Sequence, residues 1–492
     1  MRITNSMMVN NSLYNINNNK IQTDKLNTQL ATEKKIQRPS DDPIVAVRAL
    51  RLRSTYNEVC QYLEKNVPDA RSVLECTDDA LESINDVLED IITYCNQGVN
   101  DYNTVSEREA FKTTLIQLRK QVFSDGDADL NGRTLFTGYK TDTTLTFQED
   151  DKNIKYQINQ SFKADDVDNM NRIVGISVNN IAMADQRAVT NETFHVIKLA
   201  YDGTDTLNSL KLTNADGSVS EITPIVRSKE VFDAAGNSVY QRFTSGAVFV
   251  PETGEILISD AIYQSLSNGG TLDATYEKTG FDKGDLRPEH YFDCTKNIYD
   301  LATKSYNESI DYKSENQEIF YTINFNQTLK VNTQAKDVLK HDMIRDLDEM
   351  IYAVEAALTA QTKIDKINNQ LASATNDNDK TMLNSMLTAA NLELSYANEN
   401  MGKVFSKNIG NYQGHQQVLN NELSDIGARM VRLNLNEERL SAQKLSVKEL
   451  KSSNEEVDVT QVAVEFKAAS AVYDASLAAA AKVVQNTLLD FL

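Results

Sequence analysis

Eleven positions near the amino end constrain this chain more than any others. Val59, Leu63, Val67, Ala70, Leu74, Thr77, Leu81, Ile84, Leu88, Ile91 and Cys95 follow one another at steps of 4, 4, 3 and then alternating 4 and 3. A seam of that spacing, kept up for more than five turns, belongs to a helix that buries one face along its length. Pro68 falls inside it. Its ring removes an intrahelical hydrogen bond and crowds the preceding turn, so a kink or a restart of the helix is expected there. A shorter helix follows, with Phe111, Leu115, Leu118 and Val122 on one face.

The carboxyl-terminal third repeats the pattern. Ile344, Leu347, Ile351, Val354 and Leu358 form one seam, and Leu383, Leu387, Ala390, Leu394, Ala397, Met401 and Val404 another. "SATNDNDK" between them predicts the turn of a helical hairpin, and "NIGNYQG" predicts a break in the register. Leu419, Leu423, Ile426, Met430, Leu433, Glu437 and Leu440 then make a third seam. A seam half a chain away from another invites pairing.

Residues 141–330 change character. "TLTFQED", "NIKYQINQSF" and "RIVGISVNN" alternate or run with β-formers. Turn signals recur at Asn214–Gly217, Ala235–Asn237 and Glu252–Glu255, the last between "AVFVP" and "EILIS". The chain therefore reads as helix, then β, then helix. The expected fold is mainly α with a β insert: a discontinuous helical bundle or coiled coil built from both chain ends, with a β-rich central domain looped out. The division expected is 1–40 plus 455–492 as terminal helical segments, 41–140 plus 331–454 as a helical bundle, and 141–330 as the β-rich domain.

With 492 residues the chain can fill two to four domains. Its net charge of −21 argues against nucleic acid and anionic membrane surfaces as partners. No run of 18 apolar, uncharged residues offers a membrane span. The amino terminus lacks the apolar core and cleavage site of a secretory signal, so a cleaved signal peptide is not expected. Cys60, Cys76, Cys95 and Cys294 sit at no metal-ligand spacing and read as free, mostly packed thiols.

The chain carries none of the common catalytic or cofactor motifs. None of His195, His290, His341 and His415 forms HExxH. GxSxG, GxxxxGK[ST] and GxGxxG on a strand-to-helix turn do not occur. One cluster, Arg287, Glu289, His290, Asp293 and Cys294, mixes metal-ligand types. Such a stretch is more often a solvated connector carrying one buried aromatic. No catalytic, cofactor-binding or metal site is expected, and no cofactor.

"RPSDDP" (38–43) marks a helix joint. Pro39, Ser40, Asp41, Asp42 and Pro43 stop a helix before them and start one after. Ser or Asp caps the free N–H groups, and Pro fits the first turn. The far end of the chain is just as distinctive. Its last 25 residues hold eight Ala and only three charges, Asp474, Lys482 and Asp490. A helix of that composition needs something to pack against. Seven Asn among the first twenty residues make the amino-terminal segment a poor helix alone. Both ends are expected to order together on assembly. Phe466, Tyr473, Leu477, Val484 and Leu488 recur at helical spacing and, with Leu489, Phe491 and Leu492, are the expected assembly face. The bland alternative is that they cover the chain's own helical core.

At this point the residues resemble a known family. "MRITNSMMVNNSLYNIN", "KKIQRPSDDP" and "ALRLRS" are followed in order by "QYLEKNVPDARSVLECTDDAL" and "NGRTLFTGYK". After the insert come "YTINFNQTLKVNTQAKDVL", "DIGARMVRLNLNEERLSAQKL", "EEVDVTQVAVEFKAASAVYDASL" and "LLDFL". Together they resemble the bacterial flagellar hook-associated protein 3 family, hook–filament junction proteins of the flagellin-like superfamily. The likeness covers roughly 1–140 and 318–492, and "GDLRPEHYFDC" in the insert looks similar to long versions of the family.

The resemblance implies a self-assembling structural subunit of the flagellum, not an enzyme. It would join the hook-side junction protein, hook-associated protein 1, to flagellin. The implied partners are those two, other copies of itself in a ring or tube, and an export chaperone. The implied location is extracellular, at the hook–filament junction, after type III export without a cleaved signal peptide. One alternative is a filament flagellin, in which the joint usually reads as an Arg-Ala-Ala-Asp-Asp-Ala type. Another is a ligand-binding or enzymatic module displayed on a flagellin-like scaffold, which only the β insert could carry.

Overall fold

The computed structural model describes residues 5–99, 104–176, 178, 189–228, 240, 243–300 and 304–489. Helix α1 (Asn5–Thr32) leads through the joint to α2 (Pro43–Gln61), a π-helical turn (Tyr62–Asn66), α3 (Val67–Gly98) and α4 (Val105–Gly126). A short hairpin, β1 (Asp129–Leu130) and β2 (Arg133–Thr134), opens the β-rich region. β3 (Asp151–Phe162), β4 (Asp168–Val174), β5 (Thr190–Lys198), β6 (Thr206–Thr213), β7 (Val219–Glu221) and β8 (Ile225–Val226) follow. Next come β9 (Ala247–Val250), β10 (Glu255–Ile258), helix α5 (Asp260–Ser267), β11 (Thr271–Phe281), β12 (Asp293–Asp300) and β13 (Ser305–Tyr312). A hairpin of β14 (Phe320–Asn324) and β15 (Gln327–Lys330) returns the chain to helices. These are α6 (Ala335–Val338), α7 (His341–Ser373), α8 (Asp377–Glu455) and α9 (Val459–Leu489). The fold is mainly α with a β insert, and helices built from both chain ends flank it.

The chain divides into two compact units. The first holds residues 1–71, 321–329 and 431–492; the second holds 72–320 and 330–430. α3 and α8 contribute residues to both.

In the first unit, α2 and the start of α3 lie antiparallel to the end of α8. The polar rungs give the register: Arg53 to Glu455, Lys451 over the Tyr56 ring at 5.1 Å, Glu64 to Lys444 at 2.7 Å, and Arg71 to Glu437. Each step forward along the amino-terminal arm matches a step back along α8 to within one residue. The buried seam runs between the rungs, with Val59, Val67, Ala70, Leu433 and Leu440 inside and Leu63 half-buried.

The π turn explains both Pro68 and the doubled step of four in the seam. The N–H of Val67 bonds to the carbonyl of Tyr62, five residues back, and α3 starts there with Pro68 in its first turn. A π turn takes up one extra residue. Val59, Leu63 and Val67 can therefore step by four twice and leave the seam on the same face. The helix restarts at Pro68 without losing phase. Asn66 donates to the Thr322 carbonyl at 2.8 Å, and Asn436 donates to Ile323 at 2.7 Å, which fastens the β14–β15 hairpin to this helix pair.

In the second unit two sheets pack face to face. The six-stranded sheet runs β13-β12-β3-β11-β6-β7, and the five-stranded sheet runs β4-β5-β10-β9-β8 with only β8 and β9 parallel. Tyr156, Ile158, Leu210, Leu272 and Tyr276 of the first and Ile197, Phe249, Ile256 and Ile258 of the second share one core. The β6–β7 and β9–β10 hairpins form at the turns read from the sequence. Gly254 in the latter has φ +65, and a Cβ there would lie 2.2 Å from the Tyr201 carbonyl oxygen, so the turn requires glycine.

"TLTFQED" forms no regular strand; it pairs with residues 284–287 through the isolated bridge Thr146–Leu286 and three backbone hydrogen bonds. "NIGNYQG" does not break the register: α8 runs through it as one helix of 79 residues. Phe405, Asn408, Tyr412 and Leu419 carry the buried seam across, with the Tyr412 hydroxyl donating to the Met343 carbonyl at 2.6 Å. Two helical glycines cost only about 1 kcal/mol each against alanine, less than this docking returns. The turn expected at Ala235–Asn237 lies outside the described residues. Among those described, no helix is long and apolar enough to cross a membrane.

Candidate functional site

Residues 38–43 join α1 to α2, and this joint has a partner 400 residues away. Asp42 caps α2, its carboxylate accepting from the N–H groups of Ile44 at 3.0 Å and Val45 at 3.1 Å, with Pro43 first in the helix. Asp41 faces back and accepts from the N–H groups of Arg38 at 2.9 Å and Gln37 at 3.0 Å, bonds that lower its pKa. Pro39 and Ser40 form the turn between.

The second break lies between α8 and α9, where Asp458 caps α9 through the N–H groups of Thr460 and Gln461. The two breaks meet. The N–H of Lys35 donates to the Glu455 carbonyl at 2.8 Å, and the N–H of Val457 to the Glu33 carbonyl at 3.1 Å. Arg53 grips the Glu455 carboxylate with two bonds of 2.7 and 2.6 Å, and Lys34 stands 3.8 Å away. Glu455 is buried, and the hydrogen bond from Arg53 holds its pKa below the usual range. Both helix breaks thus form one joint with a charged clamp at its centre. Glu455, Arg53 and Lys34 were not singled out from the sequence, because nothing local links 53 to 455.

Beyond the joint α1 packs along α9. Leu26 is buried there, while Met7, Leu13, Tyr14 and Ile21 are exposed. Of the expected assembly face, Phe466 and Tyr473 are half-buried and Leu477 is exposed. The side chains of Val484, Leu488 and Leu489, and residues Phe491 and Leu492 altogether, lie outside the described part. Among the described side chains of α9, Val464 and Val472, which the sequence reading passed over, are the more exposed large apolar residues. Glu455→Ala is expected to cost about 1–2 kcal/mol through loss of the bidentate bond. It should also speed amide exchange at 33–36 and 456–458 together; acceleration on one arm alone would show the two breaks to be independent.

The cluster from Arg287 to Cys294 belongs to the β core. Glu289 is buried and accepts from the Tyr156 hydroxyl at 2.8 Å; Arg287 lies 3.7 Å from it and stacks over Phe147. Burial lowers His290 to about 4 and raises Cys294 to about 12. Asp293 accepts from the Ser314 N–H at 2.7 Å. Among the described residues no group of three His, Cys, Asp or Glu could hold a metal ion. The stretch is packed, not the solvated connector expected.

A cavity of about 290 Å³ in the second unit bears on the displayed-module alternative. Asn171, Arg172, Tyr240, Glu349, Tyr352 and Lys363 are among its walls. Its charges answer one another. Arg172, only 4% exposed, bonds to Glu349 at 2.8 and 3.1 Å and to Glu255, while Lys198 also reaches Glu349. Lys363 pairs with Glu393 at 2.6 Å. Burial alone would push Glu349 up, but Arg172 and Lys198 together hold it well below the carboxylate range. The network ties β4, β5 and β10 to α7 and pairs its charges, while the buried Nε of Arg172 finds no hydrogen-bond partner among the described residues.

Comparison with known proteins matches the amino-terminal helical region of the chain. Residues 3–141 match the bacterial flagellin N-terminal helical region. Flagellar hook-associated protein 3 of Escherichia coli (strain K12) is 29% identical over 171 residues, 33% of this chain and 53% of that protein. The Salmonella typhimurium protein of the same name is 31% identical over 149 residues, 29% of this chain and 45% of that one. A flagellin of Clostridium tyrobutyricum is 28% identical over 122 residues, 25% and 32% of the two chains. The chain thus spans about half the length of the first two relatives. The flagellar junction protein of Legionella pneumophila overlaps 84% of this chain and all of that one, at 8% identity and a TM-score of 0.28, too low to add to the assignment. The family resemblance read from the sequence is borne out by the matched relatives: this chain is similar to flagellar hook-associated protein 3, and it carries a match to the flagellin amino-terminal helical region.

Proposed function

We propose that this protein is a structural subunit of the bacterial flagellum at the hook–filament junction. The observation that carries the reading is the double joint, from which a paired α1–α9 segment leaves the helix pair of α2 and α8. The names of the relatives support the flagellar role. In this reading 1–40 with 455–492 are the inner-tube segments, 41–140 with 331–454 the helical bundle, and 141–330 the displayed β domain. One end of the subunit meets the hook-side junction protein, hook-associated protein 1; the other meets flagellin. Copies of the chain close the ring or tube through the α1–α9 segment, with Phe466, Tyr473, Leu477, Val484, Leu488, Leu489, Phe491 and Leu492 as the contact face. Export through the flagellar type III apparatus, with a chaperone holding the terminal helix, completes the reading.

Filament flagellin is the second reading, favoured by the Clostridium relative. Arg-Pro-Ser-Asp-Asp-Pro at 38–43 speaks for the junction protein. Immunogold labelling with antibody to residues 141–330 separates them: one band at the hook–filament boundary is expected, and label along the whole filament would make this a flagellin. A chain lacking 468–492 should keep its β domain and lose assembly; normal junctions built from it would refute the contact face.

A further inference from the structure

Charge is unevenly divided along the chain. Residues 1–71, 321–329 and 431–492 hold 18 Lys or Arg against 16 Asp or Glu, net +2. The remainder holds 32 against 55, net −23. The first two turns of α2 concentrate the contrast. Ile44, Val47 and Leu50 are 74%, 53% and 65% exposed, and Arg48 and Arg51 stand exposed among them. Neither arginine has an ion-pair partner among the described residues. An exposed apolar face with unpaired arginines is the composition of a protein-docking surface, since arginine and large apolar side chains carry contacts that lysine does not.

The same chain carries a matching surface. From 72 to 98 it has no Lys or Arg. On α3 the carboxylates of Glu75, Asp79, Glu82, Asp86 and Glu89 recur at steps of 4, 3, 4 and 3, all exposed and none ion-paired among the described residues. Asp78 beside them is raised, by burial first and then by Glu82 and Asp79, a sign of the crowding of negative charge. Half-buried Val73, Cys76 and Ala80 flank the stripe and give apolar side chains something to cover. Fourteen residues of helix span about 21 Å, ample for the roughly 10 Å from Ile44 to Arg51.

Resting on the assembly reading above, we propose that the α2 face of one copy docks on the α3 stripe of a second copy. Two different surfaces meet, so the contact is head-to-tail and propagates into a ring or a helix instead of stopping at a pair. The paired charges set its register and make it sensitive to salt.

Sedimentation of the full chain tests this. Association should weaken about tenfold when salt is raised from about 50 to 500 mM. Arg48→Glu/Arg51→Glu and Asp79→Arg/Glu82→Arg/Asp86→Arg should each lose association about as strongly, with far-UV circular dichroism unchanged. Mixed together, the two variants present complementary faces and should associate again. If the glutamate variant fails to fold, Ile44→Ser/Leu50→Ser takes its place and should weaken association likewise. Wild-type association by a variant of the α2 face, no recovery in the mixture, or a wild-type chain monomeric at low salt up to its solubility limit would each overturn the proposal. These results leave the junction reading to the labelling experiment: a band at the junction with unaffected α2 variants would sink only this contact.

Discussion

Arg172→Ala is expected to cost about 3–5 kcal/mol of unfolding free energy, because it leaves buried Glu255 and Glu349 facing each other with one guanidinium missing. Domains of ordinary stability have about 5–15 kcal/mol in all. Arg172→Lys should fall between the variant and the wild type: the charge stays, but an ammonium cannot serve Glu349 through a two-pronged bond while reaching Glu255. Chemical denaturation followed by tyrosine fluorescence, or by exchange at β4, β5 and β10, provides the measurement. A loss below about 1 kcal/mol would mean that water or Lys198 already neutralises the site.

Acid should loosen the second unit through two histidines, buried His341 and half-buried His290. Burial, and then Arg345, pushes His341 down to about 3; burial pushes His290 down to about 4. In the unfolded chain each takes its proton near 6.5. Both groups are depressed cations, so acid favours the unfolded chain. The stability each contributes is complete above about 6.5 and lost as pH falls toward the folded values. At pH 4.5 the loss is about 2–3 kcal/mol per histidine. Asp285 and Asp348 act in the opposite sense, because burial raises both. The variant therefore gives the cleaner readout. His341 packs its ring against Tyr201, Tyr291 and Phe292, so His341→Phe keeps the packing and removes the proton. The fall in melting temperature between pH 7.5 and 4.5 should shrink in that variant. An equal fall in variant and wild type would show that His341 does not set the acid response.

The helices were legible because burial repeats along them. Ten of the eleven positions from Val59 to Cys95 are buried, and even the doubled step of four at 59–63–67 carried a message, the π turn. "NIGNYQG" misled because Gly and Asn punctuate most chains; here Asn408 and Tyr412 point into the core, and tertiary contact outweighs propensity. "TLTFQED" has strand composition, but its pairing with 284–287 is too short to grow beyond a single bridge. The joint's cap was local and readable. Its clamp was not, since Arg53 and Glu455 meet only through the fold, and Arg172, Glu255 and Glu349 come from three separate elements. The expected assembly face remains a proposal; Phe466, Tyr473 and Leu477 are bulkier, while Val464 and Val472 are the more open among the described side chains of α9.

The matched rungs from Arg53–Glu455 to Arg71–Glu437 also govern how such a chain can change in length. One residue added between Glu64 and Arg71 would swing everything beyond it by about 100° around the helix, while Lys444 and Glu437 stayed where they are. A lone insertion or deletion in either arm is therefore a phase error, harmless only if a π turn absorbs it or the opposite arm answers with the same change. Between β2 and β14 the strands obey a register of their own, since a one-residue slip turns every side chain to the other face. Only the loops that join them can change in length without disturbing a pairing, so length change in such a chain is confined to the turns of the β insert, and the arms can drift in side chains but hardly in count.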